Sequence, residues 1–218
     1  HLPKPMIEIG GRPILWHIMK IYSYYGFNDF IILLGYKGYV IKEFFLNYYL
    51  HQSNVSIDLQ SNKLEILNNV SEPWKVTLLD TGLDTMTGGR IKQIKPYLDK
   101  EPFFLTYGDG VSNVNIKKLL AFHKKKKKKI TVTGIKRDER YGILDVTKED
   151  LVKGFKEKPK DTNDWINGGF FVCEPEVLDK LKSKKTVFEQ DPLKNLANEK
   201  EMSVYKHNGF WQCMDTLR

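Results

Sequence analysis

Two hydrophobic periods alternate along this chain, and the alternation predicts its elements. Over 12–25, Ile14, Leu15, Ile18, Met19 and Tyr22 recur at helical spacing, with Pro13 suited to a first turn and Gly26 as a stop. Residues 29–34 form a short, nearly unbroken apolar run, the mark of a strand covered on both faces. Helical spacing returns over 39–50 through Val40, Ile41, Phe44, Phe45 and Tyr48. Strand, helix and strand at this density point to βαβ units and a parallel sheet.

The middle of the chain changes character. Residues 55–59 and 64–67 alternate weakly and read as a small antiparallel excursion. Another apolar strand, 76–79, runs into Asp80-Thr81-Gly82. The stretch 84–90 reads as a loop feeding a helix from Gly89 to about Leu98. Further strands are expected at 103–106, 130–134, 143–146, 170–173 and 202–206, with a strand end near 154–158. Further helices are expected at 114–126, 176–181 and 192–199. No internal repeat and no Pro/Ser-rich break appears, so one α/β domain over 1–218 is expected, its mixed, mostly parallel sheet flanked by helices and carrying small β insertions.

Composition narrows this picture. The 218 residues are 41% hydrophobic and 12% aromatic, which excludes general disorder. No apolar run reaches the roughly 18 residues of a membrane span, and the start carries no signal-peptide pattern. The chain begins at His1 rather than Met, which reads as the start of a fragment. Cys173 and Cys213 are too few for a disulfide framework and fit reduced thiols in the cytoplasm. The net charge is +8, and the six lysines of 124–129 account for most of it. No aromatic residue interleaves with those lysines, so they read as a solvated turn between helix and strand, and no nucleic-acid or membrane partner is expected.

Four places carry candidate chemistry. In Thr106-Tyr107-Gly108-Asp109-Gly110 a strand delivers a carboxylate between glycines at its carboxyl end, where open α/β sheets bind ligands. That suits Mg²⁺ bound together with phosphates, or else it is a plain Asp-Gly turn. In the loop 85–90, Gly88 and Gly89 precede a helix. They either offer backbone N–H groups to an anion beside the Arg90 fork, or only cap a helix. Lys4 sits between two prolines that stiffen it, and Glu157-Lys158-Pro159 sets a carboxylate beside an ammonium at a strand end. Asp215, after the run 210–214, is either a second metal carboxylate or a helix N-cap. P-loop, nucleophile-elbow, HExxH and zinc-spaced cysteine patterns are absent from the sequence.

Taken in order, these stretches resemble the sugar-1-phosphate nucleotidyltransferases. The resemblance is carried by Lys4-Pro5-Met6, Gly10-Gly11-Arg12-Pro13, Gly35-Tyr36-Lys37-Gly38-Tyr39, Met86-Thr87-Gly88-Gly89-Arg90, Gly108-Asp109-Gly110, Glu157-Lys158-Pro159, Asn167-Gly168-Gly169 and Met214-Asp215-Thr216. Trp16-His17-Ile18-Met19, Tyr36-Lys37-Gly38-Tyr39 and the Met86 to Arg90 stretch point to the cytidylyl branch. The resemblance implies a Rossmann-like fold and a Mg²⁺-assisted reaction of CTP with glucose 1-phosphate, giving CDP-glucose and pyrophosphate. It implies that Lys4 meets the phosphates, that Thr85, Arg90 and Gly108 serve the nucleotide, and that Asp109 and Asp215 hold the metal. Glu157, Lys158, Asn167 and Gly168 would hold the sugar phosphate. A homo-oligomer is expected.

The family opens with a strand and a Gly-rich phosphate loop and continues past Asp-Thr-Leu-Arg; both segments are missing from this sequence. Two alternatives stay open: an enzyme using UTP or dTTP, and a non-catalytic nucleotide-sugar-binding protein.

Overall fold

A computed structural model describes residues 2–68, 70–136, 143–146, 152–156 and 165–214. A single 3-10 turn, Lys4–Met6, leads into a short ribbon of β1 (Glu8–Ile9) and β2 (Arg12–Pro13). Helix α1 (Ile14–Tyr24) follows, with Pro13 as its N-cap. It buries Ile14, Leu15, Ile18, Met19 and Tyr22, the stripe that its sequence spacing marks. Strand β3 (Asp29–Leu34) runs into α2 (Gly38–Gln52) through Lys37 at φ +49°. The hairpin β4 (Val55–Asp58) and β5 (Lys63–Ile66) comes next, then β6 (Lys75–Asp80).

Helix α3 (Thr87–Lys92) is shorter than the sequence suggests, and a separate 3-10 turn, Lys95–Tyr97, takes up the remainder. Pro96 explains the break, because it lacks the N–H that would continue the helix. Then come β7 (Phe103–Thr106), β8 (Gly110–Ser112) and α4 (Ile116–Lys126), which Asn115 caps by accepting from the Lys118 N–H at 2.9 Å. The lysine run closes α4, where cations suit the helix dipole, and turns at Lys127 (φ +51°) into β9 (Ile130–Lys136). The ribbon of β10 (Ile143–Val146) and β11 (Val152–Lys156) precedes β12 (Trp165–Cys173). A 3-10 stretch, Pro175–Lys180, replaces the expected α-helix there. Helix α5 (Asp191–Asn198), β13 (Met202–His207) and β14 (Trp211–Cys213) end the described chain.

The main sheet runs β13-β9-β12-β7. Strand β12 is antiparallel to both neighbours and β13 is parallel to β9, so β7, β9 and β13 share one direction. Strands β3 and β6 form a parallel pair in register from Asp29↔Lys75 to Leu34↔Asp80. No hydrogen bond among the described residues joins β3 to β7, yet the two strands feed the same layers. Ile31 and Leu33 pack into the cluster that holds Phe103 and Leu105, while Phe30 and Phe104 meet in the cluster on the other face.

Helix α1 and α4 cover one side through Ile14, Ile18, Ile116 and Leu119, all buried with Phe170 and Val172. The other side is filled by Phe171, Phe188, Leu181 and Leu196. The result is the expected α/β architecture with small β insertions.

Candidate active site

The carboxyl ends of β3 and β7 meet at the turn Lys4–Met6. Met6 is buried in the same cluster as Leu34, the last residue of β3. Pro5 lies against Gly108, just past β7, where an added Cβ would come within 2.9 Å of the proline ring. Gly108 is therefore a close-approach position for Pro5, which fixes Lys4 over the strand end. The Lys4 ammonium stands 3.9 Å from Asp109 Oδ2, an ion-pair separation too long for a hydrogen bond. Both groups keep contact with solvent, at 56% and 28% of side-chain exposure.

The last described strand reaches the same corner. Strand β14 pairs antiparallel with β8 in the register Trp211↔Ser112 to Cys213↔Gly110. The Met214 N–H continues that ladder onto the Asp109 carbonyl at 2.8 Å. Asp215 lies outside the described residues, as do Glu157 and Lys158. A hard cation takes oxygen ligands, and Mg²⁺ at phosphates uses one or two carboxylates. Asp109 supplies such a carboxylate, and the Met214 bond brings the chain to within one residue of position 215. Among the described residues Asp109 is the one such carboxylate that the site offers, and no group of three His, Cys, Asp or Glu side chains that could hold a metal ion is found there.

Beside this corner lies a bulge in β12. Its register to β9 shifts between Asn167 and Phe171, with Gly169 at φ +76°. A side chain at Gly169 would also strike the Tyr107 ring, 2.6 Å away. Exposed Asn167 accepts the Gly169 N–H at 2.8 Å and donates to the Tyr107 hydroxyl at 3.2 Å. Trp211 Nε1 donates to the Gly168 carbonyl at 2.7 Å. The Glu189 carboxylate lies close to the Tyr107 phenol. Burial first, and that carboxylate second, push the phenol well above its ordinary range, so it stays protonated. Asn167 and Gly168, the two described residues that the resemblance assigns to the sugar phosphate, thus stand next to the β7 strand end.

Thr85 and Arg90 occupy a second corner, at the carboxyl ends of β3 and β6. Arg90 Nη1 donates to Leu34 O at 3.0 Å, Thr81 Oγ1 at 2.6 Å and Gly82 O at 2.8 Å, and Nη2 donates to Leu83 O at 3.1 Å. Buried Thr85 donates from Oγ1 to Thr81 O at 2.7 Å, and Gln93 Nε2 reaches the same carbonyl at 3.1 Å. Arg90 therefore spends its donors tying the loop 81–83 to the end of β3. Gly35 makes room for the guanidinium, since a Cβ there would sit 2.5 Å from it. Outside this knot opens a cleft of about 400 Å³ lined by Leu34, Gly35, Tyr36, Lys37, Asp80 and Leu83, among others.

The anion-docking reading of Gly88 and Gly89 finds a different use in the structure. The Gly89 N–H donates to Thr186 O at 3.2 Å, and the Met86 N–H donates to Lys184 O at 2.8 Å. Added Cβ atoms would lie 2.8 Å from Thr186 Cγ2 at Gly88 and 2.6 Å from the Lys184 backbone at Gly89. The two glycines admit the 184–186 segment against α3. Thr87 and Glu189 lock it there, through Thr87 Oγ1 to Glu189 Oε2 at 2.6 Å.

Tyr107, Thr81, Gln93 and Glu189 were not singled out by the sequence reading. Tyr107 had a signal, its place beside Gly-Asp-Gly. Glu189 had none, because its partners Thr87 and Tyr107 are far off in the chain.

Comparison with known proteins agrees with this geometry. The nucleotidyl transferase family model matches residues 1–216. The chain is 52% identical over 217 residues to the glucose-1-phosphate cytidylyltransferase of Salmonella typhimurium, spanning 99% of this chain and 84% of that protein. It is 49% identical over 218 residues to the probable glucose-1-phosphate cytidylyltransferase of Bacillus subtilis, spanning 100% and 85%. Among solved structures, HddC of Yersinia pseudotuberculosis superposes with a TM-score of 0.67 at 23% identity, over 98% of this chain and 84% of that one, a likeness of fold. With a family match over nearly its whole length and half its residues shared with named relatives, the chain belongs to the nucleotidyl transferase family.

Proposed function

We propose that this chain is a single nucleotidyltransferase domain that joins CTP and glucose 1-phosphate into CDP-glucose, releasing pyrophosphate. The observation that carries the reading is the Lys4–Asp109 pair at the strand ends, 3.9 Å apart, in a chain that shares 52% of its residues with a glucose-1-phosphate cytidylyltransferase. A cation beside a carboxylate, held by stiff backbone, is what phosphoryl transfer needs, because positioning and charge neutralisation supply most of its catalysis.

Lys4 meets the nucleotide phosphates. Asp109 and Asp215 hold Mg²⁺, which neutralises phosphate charge when bound. Arg90, Thr85 and Gly108 act on the nucleotide by shaping the strand-end loops. Asn167 and Gly168, with Glu157 and Lys158, receive the sugar phosphate. An oxygen of glucose 1-phosphate attacks the α-phosphorus of CTP in line, and pyrophosphate leaves without a covalent enzyme intermediate.

No helix among the described residues is long and apolar enough to cross a membrane. Cys173 is a buried thiol, the form that a reducing compartment keeps, which supports a cytoplasmic enzyme. The working protein is a homo-oligomer.

The test is pyrophosphate release from the intact gene product with glucose 1-phosphate and Mg²⁺, in separate reactions with CTP, UTP, dTTP and ATP. Release with CTP alone supports the reading. Release with UTP or dTTP instead moves the chain to another branch, and no release with any nucleotide leaves a binding protein.

A further inference from the structure

Gly168 sits where β12 leaves its ladders. Strand β9 pairs with Trp165, Ile166 and Asn167 and again with Phe171, Val172 and Cys173, while β7 pairs with the residues from Phe170 to Cys173. Neither register gives Gly168 a partner, so its carbonyl needs one from elsewhere. A side chain supplies it, for Trp211 Nε1 donates to Gly168 O at 2.7 Å. Gly168 also lies tight against β9, where an added Cβ would come within 2.9 Å of the Thr133 carbonyl.

Trp211 is itself firmly held. It pairs with Ser112 in the ladder between β14 and β8. The neighbouring Phe210 carbonyl accepts from the Ser112 hydroxyl at 2.8 Å and from the Asn113 N–H at 3.1 Å. The half-buried indole packs against the cluster that holds Phe170 and Val172. Farther along the same strand, the Met214 N–H bonds the Asp109 carbonyl. One short segment thus touches both the bulge that presents Asn167 and the strand end that presents Asp109.

We infer that Trp211 is a positioning residue for the sugar phosphate, its indole N–H fixing the 167–169 bulge through the Gly168 carbonyl. This role rests on the reading of Asn167 and Gly168 as part of the sugar-phosphate pocket. The Asn167 amide accepts the Gly169 N–H at 2.8 Å and donates to the Tyr107 hydroxyl at 3.2 Å, so its direction follows the backbone of the bulge. A Gly168 peptide that turned away would carry Asn167 with it, and a small misplacement of a positioning group is costly. Trp211 touches no reacting atom in this scheme. It acts through Gly168 and Asn167, and it ties their placement to the strand that reaches Asp109.

Steady-state kinetics of the intact protein with CTP, glucose 1-phosphate and Mg²⁺ tests this. Trp211→Phe keeps a ring in the cluster and removes the donor. Losing one such bond should raise KM for glucose 1-phosphate about five- to tenfold, with KM for CTP changed by less than about twofold. Ser112→Ala is the control for a merely structural role. It loosens the same strand pair by removing the bond to Phe210 O, yet leaves the Trp211 donor in place. That variant should melt at a lower temperature with KM for glucose 1-phosphate unchanged. Equal rises in both KM values, no rise in Trp211→Phe, or the same sugar-side rise in Ser112→Ala would overturn the positioning role. A wild type without CTP-dependent turnover would overturn the functional reading and this role with it. Hydrogen exchange on the wild type needs no variant to fold. CDP-glucose should slow exchange of the 165–171 and 209–214 amides together, because coupling between two segments is reciprocal. Slowing at 165–171 with none at 209–214 would overturn the coupling, and no slowing at 165–171 would overturn the sugar-pocket reading as well.

Discussion

Arg90 Nη1 and Thr81 Oγ1 are 2.6 Å apart, and that bond fastens the loop after β6 to the end of β3. The same guanidinium holds three carbonyls. Arg90→Ala would strip donors from partly buried acceptors, at a cost of about 1–3 kcal/mol for each group left without a partner or water. The expected outcome is a lowered melting temperature and weaker CTP binding, with glucose 1-phosphate binding nearly unchanged. Arg90→Lys should not rescue it, since an ammonium cannot span four acceptors in one plane. Calorimetric titration of both ligands checks this, and unaltered CTP affinity would remove Arg90 from the nucleotide loop.

Asp109 is only partly buried, and its carboxylate faces Lys4 rather than the core. Asp109→Ala should therefore keep the fold while lowering turnover by about two orders of magnitude or more, the scale of losing one electrostatic group at a reacting phosphate. Removing Mg²⁺ with EDTA should give the wild type a comparable loss, reversed by adding Mg²⁺. Normal turnover in the variant would sink the metal assignment.

Gly89→Ala sets a methyl group against the Lys184 backbone at 2.6 Å. Backbone cannot swing aside as a side chain does, so a loss of roughly 1–3 kcal/mol is expected from overpacking. Chemical denaturation should show it as a lower midpoint. A variant as stable as the wild type would mean that the 184–186 segment sits farther from α3.

Three acids are held neutral by burial: the Cys173 thiol and the Tyr22 and Tyr107 phenols, all pushed above their ordinary ranges. In the unfolded chain they ionise near pH 8.5 for the thiol and about 10 for the phenols. Above those values the folded state holds more protons than the unfolded one, so stability falls as pH rises. It should be flat below about pH 8 and decline beyond it. Denaturation midpoints from pH 7 to 10.5 measure this, and a midpoint that does not move would contradict the burial.

Much of the architecture was legible in the sequence. The α1 stripe, the apolar runs of β3 and β7 and the weak alternation of 55–67 all appear as elements. Such periods belong to a few consecutive residues, and backbone geometry converts them directly into faces. The same locality explains the boundary differences. Residues 166–169 read as a lead-in to the strand 170–173, yet β9 pairs with Trp165, Ile166 and Asn167 and draws them into β12, with a bulge between Asn167 and Phe171.

The candidate site divides in the same way. The sequence by itself determined which residue types stand at the strand ends: Lys4 between prolines, Asp109 between glycines, and Asn167 before a glycine pair. Only the tertiary structure decided what those groups face. Whether a glycine N–H awaits a ligand or meets Thr186 O depends on a segment nearly a hundred residues away. Whether Arg90 points outward or into Leu34, Thr81, Gly82 and Leu83 depends on how two strand ends approach each other. A polar group's partner is set by distance in space, and the packing of distant segments fixes that distance.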